Sequence, residues 1–174
     1  MDRRFEQRFG RCQGKLFGYA IAVTGDREVA RDLLHDCVAR AAAARSVPSE
    51  ETAFRTWLFT IMRNLWIDQL RTNRVESRVI AQLSEEALCA PVSLESKVVN
   101  AFAVRQAFAM LSHDHREVLA LIDVSEFSYE EAARILGVPG GTVMSRVSRA
   151  RQALARLLAS DTVVPLAKTG SRKP

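Results

Sequence analysis

One segment near residue 150 carries arginine, serine and threonine but no acidic side chain. Between Gly141 and Leu158 there are four arginines and neither aspartate nor glutamate. An arginine can donate two hydrogen bonds to a guanine edge, and a serine or threonine hydroxyl can bond a phosphate or a base. At 100° per residue the apolar side chains of this segment fall on one side and the polar ones on the other. The pattern therefore predicts a helix whose basic, hydrogen-bonding face suits the major groove of DNA.

The residues before this segment predict how such a helix is held. Ser128 and Glu131 have the spacing of a capping box, so a helix is expected to start there. Gly137 can adopt the left-handed conformation that ends a helix, and Pro139 is followed by two glycines that keep the turn short. A second helix is expected to start near Thr142. This order predicts a helix–turn–helix, with an ordinary helical hairpin whose basic face is merely solvated as the alternative.

Composition limits the class of protein. The 174 residues suffice for one domain or two small ones, and the hydrophobic share of 48% is enough for a core. Four of the 25 basic residues are lysine and 21 are arginine, which favours nucleic-acid binding but would also follow from a GC-rich genome. No apolar run approaches the length of a membrane span and no signal peptide is recognisable, so a cytoplasmic protein is expected. The three cysteines are widely spaced, so neither a disulfide framework nor a zinc site is expected.

Apolar side chains recur at intervals of three and four residues through most of the chain, and no stretch alternates as a strand would. The predicted fold class is therefore all-α, with two small helical domains joined by a flexible linker and a helix–turn–helix in the C-terminal domain. The linker is expected where the periodicity weakens and Pro91 interrupts it. The predicted divisions are a first domain over 1–73, a linker over 74–94, a second domain over 95–160 and a disordered tail over 161–174.

A long helix is predicted from Phe54 to Arg71 in the first domain. Its core stripe is expected to consist of Phe54, Trp57, Leu58, Ile61 and Leu65. Trp66 lies off this stripe, so either other helices cover it or it is an exposed aromatic with a role in binding. Asp68 lies close enough to the apolar side to need a partner, and Arg71 is within reach one turn later.

Three segments together resemble the extracytoplasmic-function sigma factors, a class of bacterial RNA polymerase subunits. They are TGDREVARDLLHDCVARA, FRTWLFTIMRNLWIDQLR and LSHDHREVLALIDVSEFSYEEAARILGVPGGTVMSRVSRARQAL, in the order that the family has. The resemblance implies a promoter-recognition protein with no catalytic activity and no cofactor. The first domain would be sigma region two, which reads the −10 element, and the second would be sigma region four, which reads the −35 element. The implied partners are the clamp and flap of core RNA polymerase, promoter DNA and an anti-sigma factor.

The resemblance also implies three sets of site residues. The set facing the polymerase clamp would be Asp32, Leu33, His35, Asp36 and Arg40. The set at the −10 element would be Ser49, Glu50, Glu51, Thr52, Arg55, Arg63, Asn64 and Arg71. The set at the −35 duplex would be Thr142, Met144, Ser145, Arg146, Ser148 and Arg149. For Asn64 the alternative is a purely structural role that holds its helix to its neighbours.

Two other classes of function remain as alternatives on the sequence. A stand-alone transcriptional regulator would account for the helix–turn–helix but not for the segment FRTWLFTIMRNLWIDQLR. A metal enzyme would have to use His113, Asp114 and His115, yet the chain has three histidines in all and no metal-ligand motif such as HExxH. A helix start capped by Ser112 explains these residues better, so no metal site is expected.

Overall fold

The structure, a computed structural model, describes residues 3–80 and 96–159, and the side chains of 3–72 and 103–159. All regular structure in these ranges is helical, which confirms the predicted all-α class with two small helical domains. Residues 81–94 of the predicted linker and the predicted tail lie outside the described residues. The helices are α1 (Arg3–Thr24), α2 (Arg27–Ala42), α3 (Glu51–Ile80), α4 (Ser96–Ala109), α5 (His113–Leu119), α6 (Tyr129–Leu136) and α7 (Gly140–Ala159).

The N-terminal domain is built from α1, α2 and the first part of α3. The turn between α1 and α2 is tight because Gly25 adopts a φ of 75°, which glycine tolerates without strain. Asp26 then caps α2, since its carboxylate accepts hydrogen bonds from the backbone N–H groups of Glu28 and Val29. Both helices turn their apolar sides to one core, in which Leu16 and Leu33 are completely buried.

Helix α3 is longer than predicted and its buried side is wider. It begins at Glu51 and extends through residues 74–80 of the predicted linker. Phe54 and Leu58 are fully buried as predicted, but Trp57 is only half-buried. Three residues off the predicted stripe are buried instead: Phe59, Met62 and Trp66. The prediction of the stripe was wrong in this respect. Phe59, for example, lies against the rings of Tyr19 on α1 and of Phe127 in the C-terminal domain.

The C-terminal domain contains α4 to α7. Ser112 caps α5 by accepting a hydrogen bond from the backbone N–H of His115, as the sequence predicted. The helix continues as a π-helical turn, Ala120–Val124, whose last hydrogen bond runs from the N–H of Ser125 to the carbonyl of Ala120. Helix α7 packs across α5 and α6 and completes the core of this domain.

The two domains pack against each other along a mixed apolar and ionic surface, here called the seam. α1 lies against the π-helical turn and α3 lies against α6. The rings of Phe59 and Phe127 meet edge to face with centroids 4.6 Å apart, and both residues are buried. Such an aromatic pair stabilises a contact by about 0.5–1.5 kcal/mol beyond the area it buries. The seam consists of Lys15, Gly18, Arg55, Phe59 and Arg63 from the first domain and Glu117, Val124, Glu126, Phe127 and Glu131 from the second.

Candidate nucleic-acid interface

The turn between α6 and α7 has the geometry that the sequence predicted. The Ser128 hydroxyl accepts a hydrogen bond from the Glu131 N–H at 3.2 Å, and the Glu131 carboxylate accepts one from the Ser128 N–H at 2.8 Å. This reciprocal pair confirms the capping box. Gly137 ends α6 with a φ of 66°, in the left-handed region, which confirms its role as the helix stop. The turn is therefore fixed by its own residues.

Helix α7 begins at Gly140, two residues before the predicted start. The carbonyl of Pro139 accepts hydrogen bonds from the N–H groups of Thr142 and Val143, at 2.9 and 3.3 Å, and so closes the first turn. Both glycines of the turn are thus part of the helix. The first N–H groups of a helix have no partner within it, so weak helix formers are tolerated at this position. Val143 and Val147 are buried against the rest of the domain, which fixes the side of α7 that faces solvent.

The solvent-facing side of α7 carries the residues predicted to meet the −35 duplex. Ser145, Ser148 and Arg149 are exposed, and 59% of Met144 is exposed. Thr142 and Arg146 are half-buried at the edges of this face. The Nε of Arg149 donates to the carbonyl of Ser145 at 3.2 Å, one turn earlier, and this bond holds the guanidinium along the helix. The predicted set is therefore brought together on one face of one helix.

Arg151 belongs to the same basic segment but has a structural role. Its guanidinium donates two hydrogen bonds to the carboxylate of Asp123, at 2.6 and 3.4 Å. The carboxylate raises the pKa of Arg151 above its ordinary value, first through these bonds and then through its charge. The pair ties α7 to the π-helical turn, so Arg151 stabilises the position of the helix rather than extending its DNA-facing side.

The predicted polymerase-facing set lies on α2, with one correction. Asp32, His35, Asp36 and Arg40 are all exposed. Leu33 is completely buried, so its placement on a partner-facing surface is wrong. The 3.6-residue helical period puts Leu33 on the same side of α2 as the buried residues Ala30 and Cys37, so it supports the exposed residues from beneath.

The loop predicted to capture a −10 base is held in part by its own acids. The Glu50 carboxylate accepts hydrogen bonds from the N–H groups of Thr52 and Ala53, at 2.8 and 2.6 Å, and thereby caps α3. These bonds lower the pKa of Glu50. Glu51 forms an ion pair with Arg8 at 2.9 Å. All four predicted residues are exposed, and the two acids in addition organise the loop.

Arg8 is a residue of this site that the sequence prediction missed. It is buried on α1, with its guanidinium 3.9 Å from the centre of the Phe54 ring. It donates hydrogen bonds to the carbonyls of Pro48 and Glu50, at 2.7 and 3.0 Å, in addition to its pair with Glu51. The available signal was an arginine within the apolar stripe of α1, since a charge at such a position requires a buried partner.

The predicted −10 residues of α3 fall into two groups. Asn64 and Arg71 are exposed, and the predicted pair of Arg71 with Asp68 is present at 3.4 Å. Arg55 and Arg63 instead point into the seam. The Nε of Arg63 donates to the carboxylate of Glu117 at 2.8 Å, and the side chain of Glu117 is only 3% exposed.

Arg55 makes three contacts across the seam. Its guanidinium lies 3.5 Å from the Glu131 carboxylate and donates to the carbonyl of Glu126 at 3.3 Å. It also stacks over the ring of Phe127, with its central carbon 4.0 Å from the ring centre. In this arrangement Arg55 and Arg63 are both occupied by the C-terminal domain.

Comparison with known proteins places both domains in one family. Residues 9–76 match the family described as Sigma-70 region 2, and residues 101–154 match Sigma-70, region 4. The chain is 36% identical over 152 residues to the ECF RNA polymerase sigma factor EcfG of Rhodopseudomonas palustris, an alignment that covers 84% of this chain and 80% of that protein. This chain belongs to the ECF RNA polymerase sigma factor family. Its N-terminal and C-terminal domains are therefore sigma regions two and four.

Two solved structures resemble this sigma factor over both regions. One is the sigma factor RpoE in complex with the anti-sigma factor NepR from Bartonella quintana, with a TM-score of 0.75 and 34% identity over 92% of this chain and 99% of that chain. The other is CnrH in complex with the cytosolic domain of CnrY, with a TM-score of 0.64 and 25% identity over 91% of this chain and 90% of that chain. The similarity thus extends across the seam.

The relatives are sigma factors, which regulate transcription rather than catalyse a reaction. Within residues 3–80 and 96–159, no group of three histidine, cysteine or acidic residues whose side chains the structure describes is arranged to hold a metal ion. In the same ranges, no helix combines the length and the apolar character needed to cross a membrane.

Proposed function

We propose that this sigma factor binds core RNA polymerase and directs it to promoters with a −10 and a −35 element. The observation that supports this most is the acid-free, solvent-facing side of α7, held on a capped helix–turn–helix in a member of this family. The protein would act in the cytoplasm, together with the polymerase, and would carry no catalytic group of its own.

Region four would bind the −35 element as intact duplex. A helix fits the major groove, where guanine presents two acceptors that one arginine can bridge. Arg149 and Arg146 are the proposed base-contacting or phosphate-contacting cations, with hydroxyl groups from Thr142, Ser145 and Ser148 beside them. Met144 offers apolar contact instead of a charge, which suits a thymine methyl group.

Region two would bind the −10 element after strand opening. Unpaired bases are held by stacking and by positively charged grooves that follow the backbone. Arg55, Arg63, Asn64 and Arg71 on α3 are the proposed contacts, and Ser49 and Thr52 of the preceding loop would meet a base that has left the stack. The loop is suited to this because Arg8 holds its backbone from behind.

The exposed side of α2 is proposed to bind the polymerase clamp. Asp32, His35, Asp36 and Arg40 present both signs of charge above a rigid apolar core, which favours a specific polar contact over a hydrophobic one. Because the similar RpoE structure contains the anti-sigma factor NepR, we also propose that an anti-sigma factor controls this protein.

Reconstituted transcription tests the proposal. The purified chain is mixed with core RNA polymerase and a template that carries a matched promoter, and run-off transcripts are measured. A template with both promoter elements scrambled is the control. We expect transcripts that depend on the chain and on the promoter. Failure to bind core polymerase would refute the proposal, and tight sequence-specific binding of the free chain to intact duplex would favour the stand-alone regulator.

A further inference from the structure

We propose that carboxylates of region four lock this sigma factor closed by occupying Arg55 and Arg63, two of the three α3 arginines that are proposed to meet −10 DNA. The inference rests on the proposed function for the identity of the displaced ligand. The closed arrangement itself does not depend on the proposed function, because it follows from the contacts of the seam. The lock consists of the pairs Arg63–Glu117 and Arg55–Glu131.

The pair of Arg63 and Glu117 is the buried part of the lock. Glu117 is 2% exposed, and a carboxylate removed from water needs a charged or hydrogen-bonding partner. Arg63 supplies that partner from the other domain, at 2.8 Å, and its own side chain is 20% exposed. Separation of the domains would take the partner from Glu117 and simultaneously return the guanidinium of Arg63 to solvent.

The pair of Arg55 and Glu131 is the second part. The Arg55 side chain is 25% exposed and the Glu131 side chain is 15% exposed, so the pair is partly shielded from water. Arg55 also bonds a carbonyl and covers an aromatic ring on the same partner surface. A carboxylate, a carbonyl and an aromatic face resemble what an unpaired nucleotide offers, namely a phosphate, a base oxygen and a base ring.

These contacts make closure and −10 binding mutually exclusive for the two arginines. A guanidinium that lies between the domains cannot also line an open groove for single-stranded DNA. Closure and DNA binding are therefore linked equilibria, and each opposes the other by the same free energy. Any partner that binds both regions in the closed arrangement would strengthen the block without touching the arginines.

Carbodiimide cross-linking of the full chain, without polymerase or DNA, measures closure directly. The reagent joins a lysine amine to a carboxylate only when the two are in contact, and Lys15 pairs with Glu126 across the seam. We expect mass spectrometry to find the Lys15–Glu126 linkage in the free chain. The initial rate of its formation reports the closed fraction. Absence of this linkage in the free chain would overturn the closed arrangement.

Neutral variants of the acids test the lock while leaving Arg55 and Arg63 in place. Glu131→Gln keeps the capping box because glutamine serves at that position as well as glutamate. Combined with Glu117→Gln, it should lower the cross-linking rate by about tenfold, since both charge pairs of the lock are lost. Glu130→Gln is the matched control, because Glu130 is an exposed acid in the same helical turn. A rate that stays within about twofold in the double variant would overturn the lock.

Transcription supplies the second measurement. At limiting sigma factor, the double variant should yield more run-off transcript than the unaltered chain, whereas Glu130→Gln should not. Circular dichroism of each variant tests whether region four is folded. Glu131→Gln alone is the milder change if the double variant does not fold. An open seam without increased transcription would overturn the inhibitory role. A chain that shows the variant-sensitive cross-link but supports no transcription would instead refute the proposed function alone.

Discussion

Arg63 on α3 and Arg149 on α7 are both proposed to bind DNA, yet their surroundings in the structure differ. Arg149 on α7 is exposed, and its bond is to a carbonyl of its own helix. Arg63 on α3 is held at 2.8 Å by a carboxylate from the other domain that is itself almost fully buried. Arg149 is thus available to DNA in this arrangement, whereas Arg63 is not, although Asn64 and Arg71 of α3 remain exposed.

This difference shows that residue type alone does not decide whether a cation can bind nucleic acid. No acid among the described side chains pairs with Arg149, so its charge faces solvent and counterions, which DNA phosphates would displace. The charge of Arg63 is already matched by a protein carboxylate, so DNA must compete with that pair. The same substitution on the two faces should therefore change different properties of the protein.

The largest expected effect is the loss of stability in Arg63→Ala. Removal of one partner from a buried ion pair typically costs about 3–5 kcal/mol of unfolding free energy, and the lower end applies because Arg63 is partly exposed. Arg149→Ala alters an exposed side chain and should change the unfolding free energy by no more than about 0.5 kcal/mol. Urea denaturation of both variants measures the difference, and equal stability would mean that the Glu117 carboxylate reaches water without Arg63.

Arg149→Ala should reduce transcription instead. Loss of one good arginine–guanine pair removes about 1–3 kcal/mol, which corresponds to about a 5- to 150-fold decrease in −35-dependent initiation. Arg156→Ala is the matched control, because Arg156 is exposed on the same helix two turns farther along. An effect of Arg149→Ala within twofold, at a promoter shown to need its −35 element, would remove Arg149 from the proposed interface.

Local sequence patterns predicted the helix–turn–helix because its geometry depends on neighbouring residues. The Ser128–Glu131 capping box and the left-handed Gly137 act over three or four positions, and the structure has both. The same locality explains the correct cap at Ser112. Even the early start of α7 follows from one local hydrogen-bond acceptor, the carbonyl of Pro139.

Contacts between distant parts of the chain could not be predicted in this way. Phe59 lies off the predicted stripe of α3 and is buried because Tyr19 and Phe127, both distant in the sequence, pack against its ring. Arg8 reaches a loop about forty residues away, and its only trace in the sequence is a charge within an apolar stripe. The resemblance assigned Leu33 to a partner surface although its helical position already favoured the core. The ion pairs of Arg55 and Arg63 could not be predicted from neighbouring residues, because their partners Glu131 and Glu117 lie far along the sequence.

Ser128→Ala should show how far region four is stable independently of the seam. The substitution removes the N-cap hydroxyl of α6 and should cost about 1 kcal/mol of unfolding free energy. Because the hydroxyl bonds only within its own turn, the cross-link between Lys15 and Glu126 should form at an unchanged rate. A large decrease in that rate would mean that the seam depends on the exact start of α6.

Two glycines of α1 offer the finest test of the comparison. Alanine at either position should favour the helix by about 0.5–1 kcal/mol, because both lie in its interior. A Cβ at Gly14 would meet nothing within 4 Å, whereas a Cβ at Gly18 would lie 3.3 Å from a methyl group of Val124 across the seam. Val124 is 40% exposed, so its side chain can move away from the new methyl group. Gly18→Ala should therefore raise the unfolding free energy by slightly less than Gly14→Ala does, with a difference of about a few tenths of a kcal/mol.

The origin of that small difference can be isolated in the lock-deficient background. If the difference between Gly14→Ala and Gly18→Ala arises from the closed seam, it should vanish when Glu117→Gln and Glu131→Gln are present. In that background the separated domains no longer press Val124 against α1. A double-mutant cycle on unfolding free energies measures this coupling. A difference that persists in the opened protein would place its cause within α1, and equal gains in the unaltered background would mean that Val124 yields without strain. Only a difference confined to the closed protein ties the packing at Gly18 to the charge pairs that occupy Arg55 and Arg63.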